Sequence, residues 1–236
     1  CQGRILSELS ASEEALTAYL KAKELVRETS DRDLEARINN HLGTLYWENG
    51  RTEKSLSCYK EAYRNYEMEQ NKIGMTNTLR NIGKSMHGLE KLDSAYFYLS
   101  KAIQLAEQGQ IDSQMTHLLS SIGSVCAEKG EYEKALTYNK ASLSYPMRKN
   151  MLCARYFAIG RLYQNLQKTD SALLYAEKAL MGTDLYIECS ANRLLYTIYV
   201  KEQDYKKACT YNERYLLLRD SIEQVYRPQK LAKVEA

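Results

Sequence analysis

Proline is nearly missing from this chain, with only Pro146 and Pro228 among 236 residues, and glycine is scarce at 11. Both are the residues that stop helices, so their shortage suits a chain that is helical almost throughout. No apolar run approaches the roughly 20 residues needed to cross a bilayer. The longest, 194–200, is far too short, and no secretory leader pattern is visible. The phosphate-cradling patterns GxxxxGK[ST] and GxGxxG are absent, as is the GxSxG nucleophile elbow. A charge of one sign is lacking too. The net charge of +3 gives no strong pull toward nucleic acid.

Groups for metal or covalent chemistry are equally thin. The six cysteines, at 1, 58, 126, 153, 189 and 209, show no CxxC or other ligand spacing. They are expected to be small buried apolar residues rather than a disulfide framework. The three histidines, His41, His87 and His117, are not i, i+4 neighbours and lie in no HExxH frame, so they read as surface or groove residues. Glu13 and Glu14 follow Ser12 at the expected start of a helix, where acids suit the helix dipole. No enzyme, cofactor or metal is expected.

What the chain does hold is tyrosine and repetition. Twenty tyrosines stand against two phenylalanines. Tyrosine pairs an apolar ring with a polar tip, which suits helix interfaces in a thin structure with few fully dry positions. Gly3, Gly43, Gly83, Gly123 and Gly160 form an aligned series, with Tyr196 in the sixth place. Ala15, Ser55, Ala95, Ala135, Ala172 and Ala208 form a second, and both step by 40, 40, 40, 37 and 36. A period in this range means a solenoid, whose units bury their apolar faces against neighbours.

One unit shows the design. Ile38, Leu42, Leu45 and Tyr46 have helical spacing, and Asn49-Gly50 ends that helix with glycine as the left-handed cap. Thr52 is expected to cap a second helix carrying Leu56, Tyr59, Ala62 and Tyr63. Gly43 sits inside the first helix, where glycine costs about 1 kcal/mol against alanine. Close approach of the partner helix, with Ser55 and Ala62 as matching small positions, is expected to offset that cost. Pro146 and the shorter fourth interval suggest a curtailed helix.

Leu42-Gly43, Tyr46, Gly50, Ser55, Tyr59 and Ala62 resemble the tetratricopeptide repeat (TPR) pattern of large–Gly, aromatic, turn Gly, small, aromatic, small. Met86 and Cys126 depart from it at the first aromatic position, and Asn139 and Asn212 at the second. The usual TPR unit is about 34 residues. The longer interval here is similar to the long-repeat families that include bacterial signalling regulators and motor light chains. The resemblance implies an all-α fold, a right-handed α-α superhelical solenoid of about six helical hairpins. The units are expected near 1–30, 31–70, 71–110, 111–147, 148–183 and 184–226, the first truncated.

In such arrays the inner positions of the first helices line a concave groove. Here those include Arg37, Asn40, Trp47, Asn77, Arg80, Lys84, Phe157, Arg161, Arg193 and Lys201, with Thr44, His87, Gln164, Ser190 and Thr197 among them. Basic residues outnumber acidic ones on this strip. Arg forks and Asn amides suit carboxylates and extended backbones, and Trp47 and Phe157 are candidate apolar anchors. The expected partner is a protein or peptide, as an acidic or C-terminal segment, with no nucleic acid bound directly. The family's two-carboxylate clamp for chaperone tails needs residues that do not match here.

The ends carry expectations of their own. Gly3 falls so early that the first helix lacks its opening residues, which reads as a piece of a longer protein; the rival reading makes Cys1 a lipidated cysteine. Pro228 is expected to interrupt the last helix, with 227–236 beginning a linker helix. Arg219-Asp220-Ser221-Ile222 and Leu231–Ala236 look like the end of TPR arrays in bacterial signalling proteins. That likeness implies, as the alternative function, a sensory module with an output domain beyond. Unpaired cysteines favour a cytoplasmic setting, with the cell envelope as the alternative.

Overall fold

The computed structural model describes the backbone of residues 2–29 and 31–234, and the side chains of 13–26, 29 and 31–224. Among these residues all regular structure is helical. The order is α1 (Gln2–Thr29), α2 (Arg32–Glu48), α3 (Thr52–Met68), α4 (Lys72–Gly88), α5 (Leu92–Gln108), α6 (Asp112–Glu128) and α7 (Tyr132–Ala141). A short 3-10 turn (Ser142–Ser144) precedes α8 (Lys149–Asn165), α9 (Thr169–Ala179), α10 (Leu185–Lys201) and α11 (Tyr205–Val234). The helices α2, α4 and α6 are 17 residues each and begin at 32, 72 and 112, the period of the sequence.

Three-residue connections punctuate the helices, and each turns in the same way. The middle residue is left-handed: Gly50 at φ 71°, Gly130 at 77°, and Gln70, Glu90, Gln110, Gln167 and Gln203 at 52° to 61°. The amide after it reaches back to the last turn, as in Arg51 to the Tyr46 carbonyl at 2.8 Å and Asn71 to that of Tyr66 at 2.9 Å. This is the Schellman closure, and it satisfies carbonyls that the helix end would leave open. Thr52 is the first residue of α3 and not its cap; Arg51 holds the cap position with no side-chain bond. Side-chain caps occur instead at Asp31, Asn71 and Asp184, each accepting from backbone amides two or three residues on.

Two compact units divide the chain, one within Leu6–Lys129 and the other within Gly130–Ala236. In the first, α2 packs on α3 and α4 on α5, while α3 and α5 also touch the next first helix. Of the stripe expected on α3, Tyr59 and Ala62 are buried while Leu56 and Tyr63 are only half-buried; Ser55, Cys58 and Tyr66 complete the buried face. Val26 of α1 joins Ile38, Leu42 and Cys58 in one apolar cluster. The mid-helix glycines are held by close packing: a Cβ on Gly43 would stand 2.5 Å from the Tyr59 ring, and one on Gly83 2.7 Å from Leu99. Tyr59, rather than the small residues expected, is thus what meets Gly43.

In the second unit α8 pairs with α9 and α10 with α11, around Ile159, Leu194, Leu195 and Ile198. Small partners do serve Gly160, whose Cβ would lie 3.2 Å from the Ala176 amide nitrogen and 3.3 Å from the Ala172 carbonyl. The curtailed helix before Pro146 is found, since α7 ends at Ala141 after 10 residues. Asn139, where the repeat favours an aromatic, is buried and accepts from the Arg155 guanidinium at 3.1 Å. Its departure from the pattern is therefore a polar pair in the core.

Two expectations at the ends are corrected. Residues Gln2–Thr29 form one helix, with no turn ahead of Ser12. The stretch 4–14 has no Gly, Asn or Pro to stop it, and a helix that meets no stop signal continues. At the other end α11 runs from Tyr205 to Val234 through Pro228 without a break. A proline removes one backbone hydrogen bond and can be carried within a helix at that cost.

Candidate functional site

The first helices present the expected polar strip, and the two units treat it differently. In the unit within Leu6–Lys129, several strip residues satisfy one another. Lys84 lies over the Trp47 ring, 5.1 Å from its centroid, and Trp47 keeps 38% of its surface exposed. His87 Nε2 lies 2.8 Å from Glu128. Asn40 Oδ1 accepts from Asn81 Nδ2 at 3.2 Å and from the Thr78 hydroxyl at 3.4 Å, tying α2 to α4. The Thr44 hydroxyl donates to the Asn40 carbonyl, so the Tyr59 hydroxyl 3.1 Å away must donate to Thr44.

Arg37 is exposed and Asn77 half-buried. Arg80 is half-buried, and among the described residues no carboxylate pairs with it. Burial lowers its pKa, with the Tyr59 hydroxyl acting against that. A guanidinium so placed stays charged and lacks part of its hydration, which makes it a receptive partner for an anion.

The other unit holds a formed cleft. Phe157, Arg161 and Gln164 of α8 face Ser190, Arg193, Leu194 and Thr197 of α10 around a concavity of about 460 Å³. That volume lies within the range of small-ligand sites. Three predicted site residues, Phe157, Arg161 and Arg193, are thus brought together. Lys201 is set apart, in a neighbouring hollow of about 370 Å³ with Gln167, Thr169 and Glu202, the two sharing Gln164.

No acid lines the first cleft. The Arg161 guanidinium stands over Phe157 at 5.8 Å, and neither Arg161 nor Arg193 has a carboxylate partner among the described residues. Gln164 Nε2 donates to the Thr197 hydroxyl at 2.9 Å, and Thr197 donates to the Leu194 carbonyl at 2.8 Å, fixing the wall between the arginines. Leu194 is the one lining residue that the groove positions did not contain. Its signal was its place one residue beyond Arg193, at the edge of the core stripe.

Among the described residues no group of His, Cys, Asp and Glu gathers as a metal site. Cys58, Cys126, Cys153 and Cys189 are buried and Cys209 is exposed, none of them in a disulfide; Cys1 lies outside the described residues. Burial pushes the thiols of Cys58, Cys153 and Cys189 up, which keeps them protonated and unreactive. Among the described residues no helix is long and apolar enough to cross a membrane.

Repeated hairpins of paired helices define an all-α solenoid class of protein. A tetratricopeptide repeat family model matches residues 1–68 and a second tetratricopeptide repeat model matches residues 154–181. The chain carries tetratricopeptide repeats in both stretches. No curated protein matches its sequence. Among solved structures, BtubC (BKLC) from P. vanneervenii superposes with a TM-score of 0.79 at 17% identity, over 90% of this chain and 92% of that one. MamA from Desulfovibrio magneticus RS-1 gives 0.63 at 19%, over 81% and 97%. Aspartyl phosphate phosphatase F from Bacillus subtilis gives 0.69 at 20%, over 92% and 68%. At these identities the likeness is one of fold. Repeats of this kind form protein-interaction scaffolds through their extended surfaces.

Proposed function

We propose that the chain is a non-catalytic scaffold whose first-helix faces receive an acidic or C-terminal segment of a partner protein. The observation that carries this is the α8–α10 cleft, where two arginines and an aromatic ring line a hollow that contains no acid. Arg80, half-buried and without a carboxylate, supports the same reading in the other unit. Arginine forks that no carboxylate of the chain occupies are available to the anions of a partner.

The test is affinity capture from source-cell lysate with the native chain and with an Arg80→Glu, Arg161→Glu, Arg193→Glu variant that circular dichroism shows folded. A partner captured by the native chain and lost in the variant is the expected result. Equal capture by both would sink the reading and move the binding surface to other faces. A sensory module of a bacterial signalling protein is the alternative reading. It rests on the short helical strings near the C-terminus, and the likeness to Aspartyl phosphate phosphatase F adds only a shared fold.

A further inference from the structure

We infer that the α8–α10 cleft is a site for a phosphomonoester dianion, a deepening that rests on reading the first-helix face as the binding face. The argument is one of charge count and donor supply. Arg161 and Arg193 come from adjacent helices onto one hollow, and no acid lines it. Neither has an ion-pair partner among the described residues, so two positive charges await an anion. A carboxylate carries one charge and would leave one guanidinium uncompensated. A phosphomonoester above its second pKa of about 6 carries close to two, with three strong acceptor oxygens, and arginine forks take such oxygens in pairs.

The remaining lining fits the same group. The Ser190 hydroxyl makes no hydrogen bond to the described residues and is a free donor at the hollow's edge. Gln164 and Thr197 are bound to each other and hold the wall rigid. Phe157, half-buried beneath Arg161, offers a flat apolar surface to whatever carries the phosphate. The bearer is therefore an aromatic or apolar group, either a phosphorylated side chain of a partner or a free small phosphomonoester.

The experiment uses the full chain with isotope-labelled arginine and follows the side-chain Nε–Hε signals by NMR. Phenyl phosphate and benzoate, a dianion and a monoanion on the same ring, are titrated at pH 7 to 8. Phenyl phosphate is expected to move the Arg161 and Arg193 signals and bind at least about tenfold more tightly than benzoate, the gain from one further charge-assisted hydrogen bond. That preference should collapse at about pH 5, where the phosphate holds a single charge. The Arg161→Gln and Arg193→Gln variants, both at exposed positions, should each lose it while remaining folded. Equal binding of the two probes, or a preference unmoved by pH, overturns the phosphate assignment and leaves the acidic-segment reading standing. Neither probe moving the two arginines overturns the cleft as an anion site, whereas failure of the lysate capture alone would strike only the protein-partner reading. A phosphotyrosine peptide binding more tightly than phenyl phosphate assigns the source to a partner protein; equal affinity assigns it to a small molecule.

Discussion

Asn39 carries a cost that the fold around it does not offset. It is fully buried in α2, and neither atom of its amide has a hydrogen-bond partner. One and two periods later the same place holds Leu79 and Leu119, both buried. An unsatisfied buried amide costs about 1–3 kcal/mol. Asn39→Leu is therefore expected to stabilise the chain by about that amount, read as a higher urea midpoint at unchanged slope. A lower midpoint would show that the amide is satisfied. Gly43 points the other way. Alanine is about 1 kcal/mol better inside a helix, yet its methyl would meet the ring of Tyr59, which is 3% exposed and held at its hydroxyl by Thr44. Gly43→Ala should lose about 1–3 kcal/mol through overpacking, and Tyr59→Leu in the same chain should recover part of it. If Gly43→Ala proves stabilising, the close approach is not what keeps glycine there.

At the scale of the element, the closures between helices matter more than the helices themselves. Five of them place a glutamine or glutamate in the left-handed region, where a Cβ crowds the following carbonyl. Glycine removes that crowding, so Gln70→Gly and Gln167→Gly should each add about 0.5–1 kcal/mol to stability. The same change at Gln108, inside the last turn of α5, should instead cost about 0.5–1 kcal/mol, and thermal melts of the three variants would decide the matter. These turns also mark how far the sequence could be read. Asn49-Gly50 announced its closure, whereas Glu69-Gln70 and Glu202-Gln203 did not, because a Gln at the turn looks like one more helix former. The period placed those turns when the residues could not. At the other extreme, Glu13 and Glu14 beside Ser12 read as a helix start, and the uninterrupted α1 runs straight through them.

For the whole molecule, the repeat made the helices legible because every unit meets the same packing problem at the same spacing. The candidate site was legible only in part. Which strip residues engage one another, as Lys84 and Trp47 do, depends on rotamers that spacing cannot give. The tyrosines tie composition to a property of the entire chain. Many sit with the ring in an interface under a lysine, as Tyr199 under Lys207 at 4.9 Å and Tyr63 under Lys101 at 5.1 Å. Burial raises the pKa of Tyr59, Tyr66 and Tyr211 above the ordinary 10.0, so the folded state resists ionisation where the unfolded chain does not. Below pH 10 both states are neutral and the stability they support is fully present. Above it the unfolded chain loses protons first, and stability falls as pH rises toward the folded values. Arg80 and Arg155, though their pKa values are lowered by burial, stay charged through that window and do not oppose the loss. Melts followed from pH 8 upward should begin to fall near pH 9, where unfolded thiols ionise ahead of the buried Cys58, Cys153 and Cys189, and drop more steeply above about pH 10, with the late part of the tyrosinate absorbance appearing only as helicity is lost. Tyr66→Phe removes one such proton without removing a hydrogen bond seen in the structure, and should make the drop shallower. A melting temperature that stays level well past that pH would mean the buried hydroxyls ionise in place, with water already at the helix interfaces.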